Sequence, residues 1–249
     1  MLHDALLCAA ALGAGVLNTV AGGGTFLTLP ALVLLGVPPV AANATSTVAV
    51  FPGYLGGALG FRGELAAIDR RLLLQASIVG LAGGLAGAGL LMVTSNQTFR
   101  AIVPWLLLFA TLLFAAGGLG TGARSDAPGR SLPWRLPALA AVAVYGGYFN
   151  GGLGILLMAV LSLAGIGNLN AVNGLKNLMS FLLSAISVLT FAWAGLVHWR
   201  EAILMMAFST VGGYVGAAAA KALPLRVVRA VVIAIGLGMS GAFFLTHNN

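Results

Sequence analysis

One lysine and a row of small polar side chains stand out because they lie inside apolar segments, where polar chemistry is costly. Lys176 lies within the apolar segment 170–193, and polar residues recur around it at intervals of three and four. These neighbours are Asn173, Asn177, Ser180, Ser184 and Ser187. The spacing predicts one face of a helix. An ammonium group beside amides and hydroxyls is suited to binding an anion, because charged groups make the stronger hydrogen bonds.

Lys176 has two interpretations, and so does the polar row around it. A lysine at the centre of a bilayer costs about 2.5–3.5 kcal/mol on insertion scales, and no acidic residue lies within this segment. A bound anion would compensate the charge. Alternatively the side chain reaches toward the membrane surface, since Lys176 lies about two helical turns from the start of its segment. The hydroxyls and amides could likewise serve only as hydrogen bonds between helices, worth about 0.6 kcal/mol each.

Glycine-rich breaks interrupt the apolar pattern at two places, 18–25 and 150–154, and a polar cluster follows the first of them at 43–47. A helix that ends inside a membrane exposes unpaired N–H groups and the positive end of its dipole, both of which favour an anion. Glycines also let helices pack closely, although three adjacent glycines cannot all face one neighbour. The predicted substrate-binding residues are Asn18, Thr19, Gly22, Gly23, Gly24, Thr25, Asn43, Ser46, Thr47, Asn150, Gly151, Gly152, Asn173, Lys176 and Asn177.

The composition places the chain in a membrane. Hydrophobic residues make up 60% of it and charged residues 7%, with a mean hydropathy of +1.04, whereas soluble domains carry about 25% charged residues. The excess of 12 basic over 5 acidic residues would suggest nucleic acid for a soluble protein. Here the basic residues lie between apolar segments and are read as determinants of topology. We therefore predict an all-α integral membrane protein with no nucleic-acid partner.

No pattern in the sequence is typical of an enzyme. The three histidines, His3, His198 and His247, are scattered and lack metal-ligand spacing. The single cysteine, Cys8, excludes an intrachain disulfide. The glycine run is not followed by Lys-Ser or Lys-Thr, so it is not a nucleotide-phosphate loop. We expect no catalytic residues, no metal and no cofactor.

Ten apolar segments can be drawn, two of which are too short for a simple crossing. A span needs about 20 residues, but segments 25–36 and 154–165 have 12 each. Each is read as one arm of a broken or re-entrant element. The remaining segments are 4–21, 40–60, 72–93, 99–120, 136–150, 170–193, 201–220 and 227–246. We predict one membrane domain over 1–249, with a first repeat at 1–121, a linker at 122–135 and a second repeat at 136–249.

The two repeats are offset by about 130 residues, so that Gly24 corresponds to Gly154 and Asn43 to Asn173. With five passes per half, counting both arms of each break, nine basic residues share one side and two share the other; with four passes the split is seven to four. Nine to two is the sharper bias, and an odd number of passes inverts the second half. The sequence thus predicts 8–10 transmembrane or half-membrane helices in two inverted repeats, a transporter architecture, with both termini outside the cytoplasm.

The first break and the segment after it resemble a known family signature. Gly22–Gly24 is followed by Pro30, by the turn 35–38 (Leu-Gly-Val-Pro) and by Ala42 with Thr-Ser at 45–46. This stretch resembles the first signature of the TauE/SafE family of sulfite and organosulfonate exporters, also called the toluene-sulfonate uptake permease family. The second half departs from it, with GGLG in place of a glycine run and NGLKN in place of a Thr-Ser pair. The resemblance implies export or uptake of small sulfur-containing anions or related carboxylates.

The function predicted from these observations is secondary transport of a small anion across the cytoplasmic membrane by a multi-pass inner-membrane protein. The resemblance suggests sulfite, an organosulfonate, a related sulfur-containing anion or a small carboxylate. Export is the expected direction, because an interior-negative potential contributes about 2.3 kcal/mol per charge per 100 mV. The alternatives are an anion channel and a non-transporting scaffold subunit. The expected partners are the small anion and the lipid bilayer, and a homodimer is left open.

Overall fold

The computed structural model describes residues 2–20, 22–117, 134–164, 166, 169–222, 230, 233–234, 236–238, 240–241 and 244. Ten helices are assigned within this part of the chain, and no strand is found there, which confirms the all-α prediction. They are α1 (Leu2–Val20), α2 (Thr25–Leu34), α3 (Pro39–Gly60), α4 (Arg62–Ala66), α5 (Arg70–Met92), α6 (Asn96–Gly117), α7 (Arg135–Tyr148), α8 (Leu153–Leu163), α9 (Leu169–Trp193) and α10 (Trp199–Ala222).

The helix boundaries follow local chemistry and lie close to those predicted. Pro39 occupies the first position of α3, where its missing N–H is not needed. Asp69 caps α5, its carboxylate accepting a hydrogen bond of 2.6 Å from the Arg71 amide. The five-residue helix α4 was not predicted. Most of the predicted segment 227–246, and all but the end of the predicted linker 122–135, lie outside the described residues.

Both predicted glycine breaks are confirmed as interruptions of the helical path. Gly22 and Gly152 have φ of 82° and 76°, in the left-handed region that favours glycine. At the first break the chain reverses. A Cβ on Gly24 would lie 2.5 Å from the Ala14 carbonyl oxygen, and a Cβ on Gly13 would lie 2.9 Å from Leu27. Helix α2 therefore runs back along α1, and the two form a helical hairpin.

Small residues bring the helices of the two halves into close contact. Helix α1 packs most extensively on α10, and α7 packs most extensively on α5. A Cβ on Gly87 would collide with the backbone of Val144, and one on Gly212 with the backbone of Leu12. These contacts confirm the predicted packing role for both glycines. Each half is thus stabilised chiefly by helices of the other half.

The outer surface is apolar, as expected for a protein embedded in lipid. On α5 the exposed large side chains include Leu74, Ile78, Leu81 and Leu85, which recur every three or four residues along one face, and Leu90 further on. The opposite face of α5 is buried and consists mainly of glycine and alanine. This arrangement is the reverse of a soluble helix, which buries its large apolar residues. By length and composition, α5 and the 170–193 part of α9 satisfy the requirements for crossing a bilayer.

Contacts between side chains give the relative directions of the central helices. Helices α3 and α9 are antiparallel, because Phe51 stacks on Phe181 with ring centroids 5.0 Å apart while Gly57 contacts Asn177. Other pairs run parallel. Residues 80 and 84 of α5 lie beside 179 and 183 of α9, and residues 4 and 12 of α1 lie beside 200 and 212 of α10.

Candidate functional site

The two glycine breaks meet in the interior. A Cβ built on Gly22 would lie 2.9 Å from the Cα of Gly154, and the converse distance is also 2.9 Å. Only glycine on both sides permits this approach, because a Cβ atom at either position would require the backbones to separate. Residues that lie about 130 positions apart in the sequence are therefore brought into direct contact at the point where both helices are interrupted.

Tyr54 of α3 joins the two breaks through hydrogen bonds. Its hydroxyl donates to Asn150 Oδ1 over 2.9 Å and also bonds to the side chain of Asn18. Asn150 in turn donates from Nδ2 to the Ser184 hydroxyl of α9, 3.3 Å away. One connected network therefore contains a residue from each break and one from each of the antiparallel helices α3 and α9. All except Asn18, which is half-buried, are buried.

The amide end of α2 is largely occupied by its own neighbours. Gly24 N donates to Asn18 Oδ1 over 3.1 Å. The next amides bond within the turn, Phe26 N to Gly23 O over 3.1 Å and Leu27 N to Gly24 O over 3.0 Å. The sequence predicts a bare amide end here. The structure instead shows the Gly24 amide bonded to the Asn18 side chain, while no side chain caps the first turn of α2 itself.

The start of α8 is satisfied in the same manner. Leu153 N bonds to Asn150 O over 3.3 Å, and Ile155 N bonds to Gly152 O over 3.0 Å. The hydroxyl of Tyr145 donates to the Gly151 carbonyl over 2.7 Å. The second break is thus fixed by α7, the helix that precedes it, and several of the donors and acceptors freed by the break are used locally.

The beginning of α3 is bonded to the elements around it. Asn43 donates from Nδ2 to the Tyr148 carbonyl, 3.0 Å away at the end of α7. The Ser46 hydroxyl shares a hydrogen bond with that of Thr28 on α2. Thr47 bonds to the Asn43 carbonyl of its own helix, at 2.9 Å. The predicted polar face therefore lies against α2 and the second break, away from the outer surface.

Lys176 is buried inside the protein. Its side chain is 4% exposed, which excludes the surface position that reaching toward the membrane boundary would require. Among the described residues it makes no ion pair. The Asp4, Glu201 and Arg200 side chains, which do pair, lie at the ends of α1 and α10. Within the described part of the chain, Lys176 is thus a buried cation without a counter-charge.

Besides Arg135 Nε at the start of α7, three buried side-chain oxygens lack a hydrogen-bond partner in the described part of the chain: Thr25 Oγ1, Asn43 Oδ1 and Ser180 Oγ. Each of these three residues is at most 1% exposed. A buried hydroxyl or carbonyl oxygen without a partner costs about 1–3 kcal/mol, so such atoms usually bind water, an ion or a ligand. Ser180 lies one turn from Lys176 on α9, between Lys176 and the Ser184 contact with the second break.

Not every predicted residue joins this network. Asn173 and Asn177 are half-buried, and Asn177 lies against Gly57 of α3. The side chain of Thr19 lies outside the described residues. Conversely, Tyr54 and Ser184 are absent from the predicted substrate-binding residues, although both bond to Asn150.

The arrangement supports binding of a small polar solute in preference to a covalent reaction. It offers one ammonium group, several hydroxyls and carboxamides, and backbone interrupted at two adjacent points. No cluster of three or more His, Cys, Asp or Glu side chains able to hold a metal ion occurs among the described residues. Broken helices whose ends meet between two halves are typical of the solute sites of membrane transporters.

Known proteins with similar sequences carry matching names. A membrane protein of a Sinorhizobium species, named "Probable membrane transporter protein ORF9", is 26% identical over 242 residues, covering 95% of this chain and 90% of the relative. A "Probable membrane transporter protein" of Haemophilus influenzae is 27% identical over 229 residues, covering 91% and 89%. The "Probable membrane transporter protein YfcA" of Escherichia coli K12 is 26% identical over 232 residues, covering 91% of this chain and 84% of the relative.

No solved structure matches the chain. The family model "Sulfite exporter TauE/SafE" matches residues 7–243, which include both breaks and every residue of the candidate site. The match confirms the resemblance seen in the first half and extends it across the second, where the motif differs. The chain belongs to the TauE/SafE family of membrane transporters.

Proposed function

We propose that this protein is a secondary transporter that exports a small anion, such as sulfite, an organosulfonate or a related anion, across the cytoplasmic membrane. The observation that carries the proposal is Lys176, a buried cation without a carboxylate partner in the described residues, on the same face of α9 as Ser180 and Ser184. A buried charge is stable only when paired or hydrogen-bonded. A transported anion supplies that partner while it is bound.

The proposal includes an inverted relation between the halves. Helices α3 and α9 begin 130 residues apart, at 39 and 169, and α5 and α10 begin at 70 and 199. The left-handed glycines Gly22 and Gly152 are also 130 apart. Corresponding helices of parallel repeats would be parallel, whereas α3 and α9 are antiparallel. The exchanged packing of α1 on α10 and α7 on α5 supports the same relation.

Within this scheme, the protein is a multi-pass inner-membrane protein with two re-entrant elements. One is the hairpin of α1 and α2, and its counterpart consists of α7 and α8. Each element enters and leaves the membrane on one side. Helices α3, α5 and α6 then cross, which is an odd number of crossings per half, so the second half is inverted. The loop at 61–69 and the linker share the side that carries most of the basic residues, the cytoplasmic side. This placement retains the predicted topology with fewer complete crossings.

Replacing Lys176 by Gln tests the proposal. We expect Lys176→Gln to lower the rate of [35S]sulfite counterflow in proteoliposomes about 100-fold, because losing one partner of a buried ion pair costs about 3 kcal/mol or more. The free protein should remain folded, since the change also removes an uncompensated buried charge. Arg62→Gln, which removes an exposed positive charge on α4, is the matched control and should transport normally.

The measurement also separates the alternatives. Saturable counterflow between labelled and unlabelled sulfite supports a carrier, whereas single-channel currents far above carrier turnover would support the anion channel. Normal counterflow by the Lys176→Gln protein would remove Lys176 from the mechanism. The absence of flux for sulfite, sulfonates and small carboxylates in a correctly inserted protein would favour the scaffold subunit.

A further inference from the structure

The candidate site carries charge on one of its two halves only. The residue 130 positions before Lys176 is Ser46, whose hydroxyl shares a hydrogen bond with Thr28. Both positions are buried, and each lies three residues after the corresponding asparagine, Asn43 on α3 and Asn173 on α9. One half therefore supplies an ammonium group, and the other supplies a neutral hydroxyl that already has a partner.

The helix ends at the breaks add little to this charge. The positive end of a helix dipole arises from N–H groups that lack partners. At α2 several of these donors are engaged by Asn18 and by the turn itself, and at α8 several are engaged by the carbonyls of Asn150 and Gly152. The unpartnered atoms nearby, on Thr25, Asn43 and Ser180, belong to neutral side chains. The dominant charge offered to a solute is thus the single positive charge of Lys176.

We propose that the site selects its solute by charge number and prefers a monovalent anion to both divalent anions and neutral analogues of the same shape. In a low-dielectric interior a monovalent anion and Lys176 form a neutral pair. A divalent anion would leave one negative charge without compensation, and a neutral solute would leave the ammonium unpaired, so both lose affinity. The proposal rests on the proposed function, which it refines from small anions to monoanions such as sulfonates or hydrogen sulfite.

The test uses three solutes of nearly the same size and tetrahedral shape that differ in charge: dimethyl sulfone (0), methanesulfonate (−1) and sulfate (−2). Their binding is measured from the thermal stabilisation of the purified full-length protein, at ionic strength held constant with sodium gluconate. We expect methanesulfonate to bind about tenfold or more tightly than either of the others, since a tenfold change in the dissociation constant requires only a modest difference in electrostatic free energy.

Two variants assign the effect to the lysine. Lys176→Arg keeps the charge and should keep the preference for methanesulfonate, whereas Lys176→Gln should bind the three solutes with affinities within about threefold of one another, because the charge that discriminates among them is gone. The wild-type comparison needs neither variant, so a folding defect in one of them leaves the inference testable. Sulfate binding as tightly as methanesulfonate, or no stabilisation by any of the three, would overturn it.

Counterflow of [35S]sulfite, measured on the same preparation, keeps the two proposals apart. If counterflow is saturable while sulfate and methanesulfonate bind equally, the inference on charge number is wrong and the transport function stands. If counterflow is absent although methanesulfonate binds selectively, the charge selectivity stands and the transport function is wrong.

Discussion

Among single residues, Tyr54 has the contacts that connect the site most completely. It bonds to Asn150 of the second break and to Asn18 of the first, although it belongs to neither. The hydroxyl is the only part of the side chain that makes these bonds, so its role can be separated from the packing of the ring. On the proposed function, Tyr54 is a positioning residue that acts on the solute through the two asparagines.

We expect Tyr54→Phe to lower the free energy of unfolding by about 1–3 kcal/mol, because Asn150 Oδ1 is left buried without a donor. The rate of [35S]sulfite counterflow should fall as well, since the breaks lose the bond that aligns them. Tyr214→Phe, at a hydroxyl on the exposed face of α10, is the control and should change neither. Thermal melting of both proteins in detergent, together with counterflow, checks the prediction. Wild-type melting and transport by the Tyr54 variant would contradict it.

Sequence reasoning located the unusual residues but not their partners. Lys176 and the glycine runs are visible because a charge and a set of glycines are rare within apolar segments. The role of Asn18 was not predictable, because an asparagine beside a break is equally suited to bonding the exposed backbone amides and to binding a solute. The bond from Tyr54 to Asn150 joins residues 96 positions apart and depends on tertiary packing that no local pattern encodes.

At the level of elements, the contact between the breaks allows two effects of glycine to be tested separately: its backbone conformation and its lack of a Cβ atom. Gly22 and Gly36 both have φ near +83°, so alanine is strained at either position by about 1–2 kcal/mol. Only Gly22 is also pressed against Gly154, whereas a Cβ on Gly36 meets no atom within 4 Å. Gly36→Ala therefore serves as the matched control for Gly22→Ala.

We expect Gly22→Ala to abolish counterflow and to lower the melting temperature more than Gly36→Ala does. The reason is that the added methyl group must push the two breaks apart, and a displacement of about 1 Å is enough to disrupt a binding site. Equal effects of the two substitutions would show that backbone conformation alone, and not the contact between the breaks, accounts for the loss.

In the described part of the chain, the nine helices other than α4 were predictable because apolar segments with polar boundaries give a strong signal. Helix α4 was not, since five residues are too few for periodicity to appear. The reversal of α2 along α1 was also beyond the sequence. A 12-residue apolar segment beside glycines is compatible with a broken crossing helix and with a re-entrant arm, and the contact between Gly24 and Ala14 decides for the hairpin.

For the whole molecule, the arrangement of helices predicts on which side of the membrane each loop lies. Ala67, before α5, should be cytoplasmic, and Gln97, at the start of α6, should be on the opposite side. Both are exposed. In a background with Cys8 replaced by Ser, we expect Gln97→Cys to react with a membrane-impermeant maleimide in intact spheroplasts and Ala67→Cys to react only after permeabilisation. The reverse pattern would invert the assigned topology.

The class of protein and its family followed from composition and from one motif, because a bilayer imposes strong and simple constraints on a chain. The identity of the anion did not follow. Selectivity depends on which polar groups remain unpaired after folding. In the structure Asn18, Gly152 and Ser46 all make hydrogen bonds within the protein. Lys176 is visible in the sequence, whereas the unpartnered hydroxyls of Thr25 and Ser180 could be identified only from coordinates.

The stacking of Phe51 on Phe181 has a consequence for the origin of the fold. The two residues are 130 positions apart, so each is the counterpart of the other. A residue that touches its own counterpart is the mark of an isologous contact at a two-fold axis. On the proposed symmetry, a gene encoding half of this chain would have specified the same aromatic contact between two identical subunits inserted in opposite orientations. Duplication and fusion then freed one copy to acquire Lys176 while the other kept Ser46.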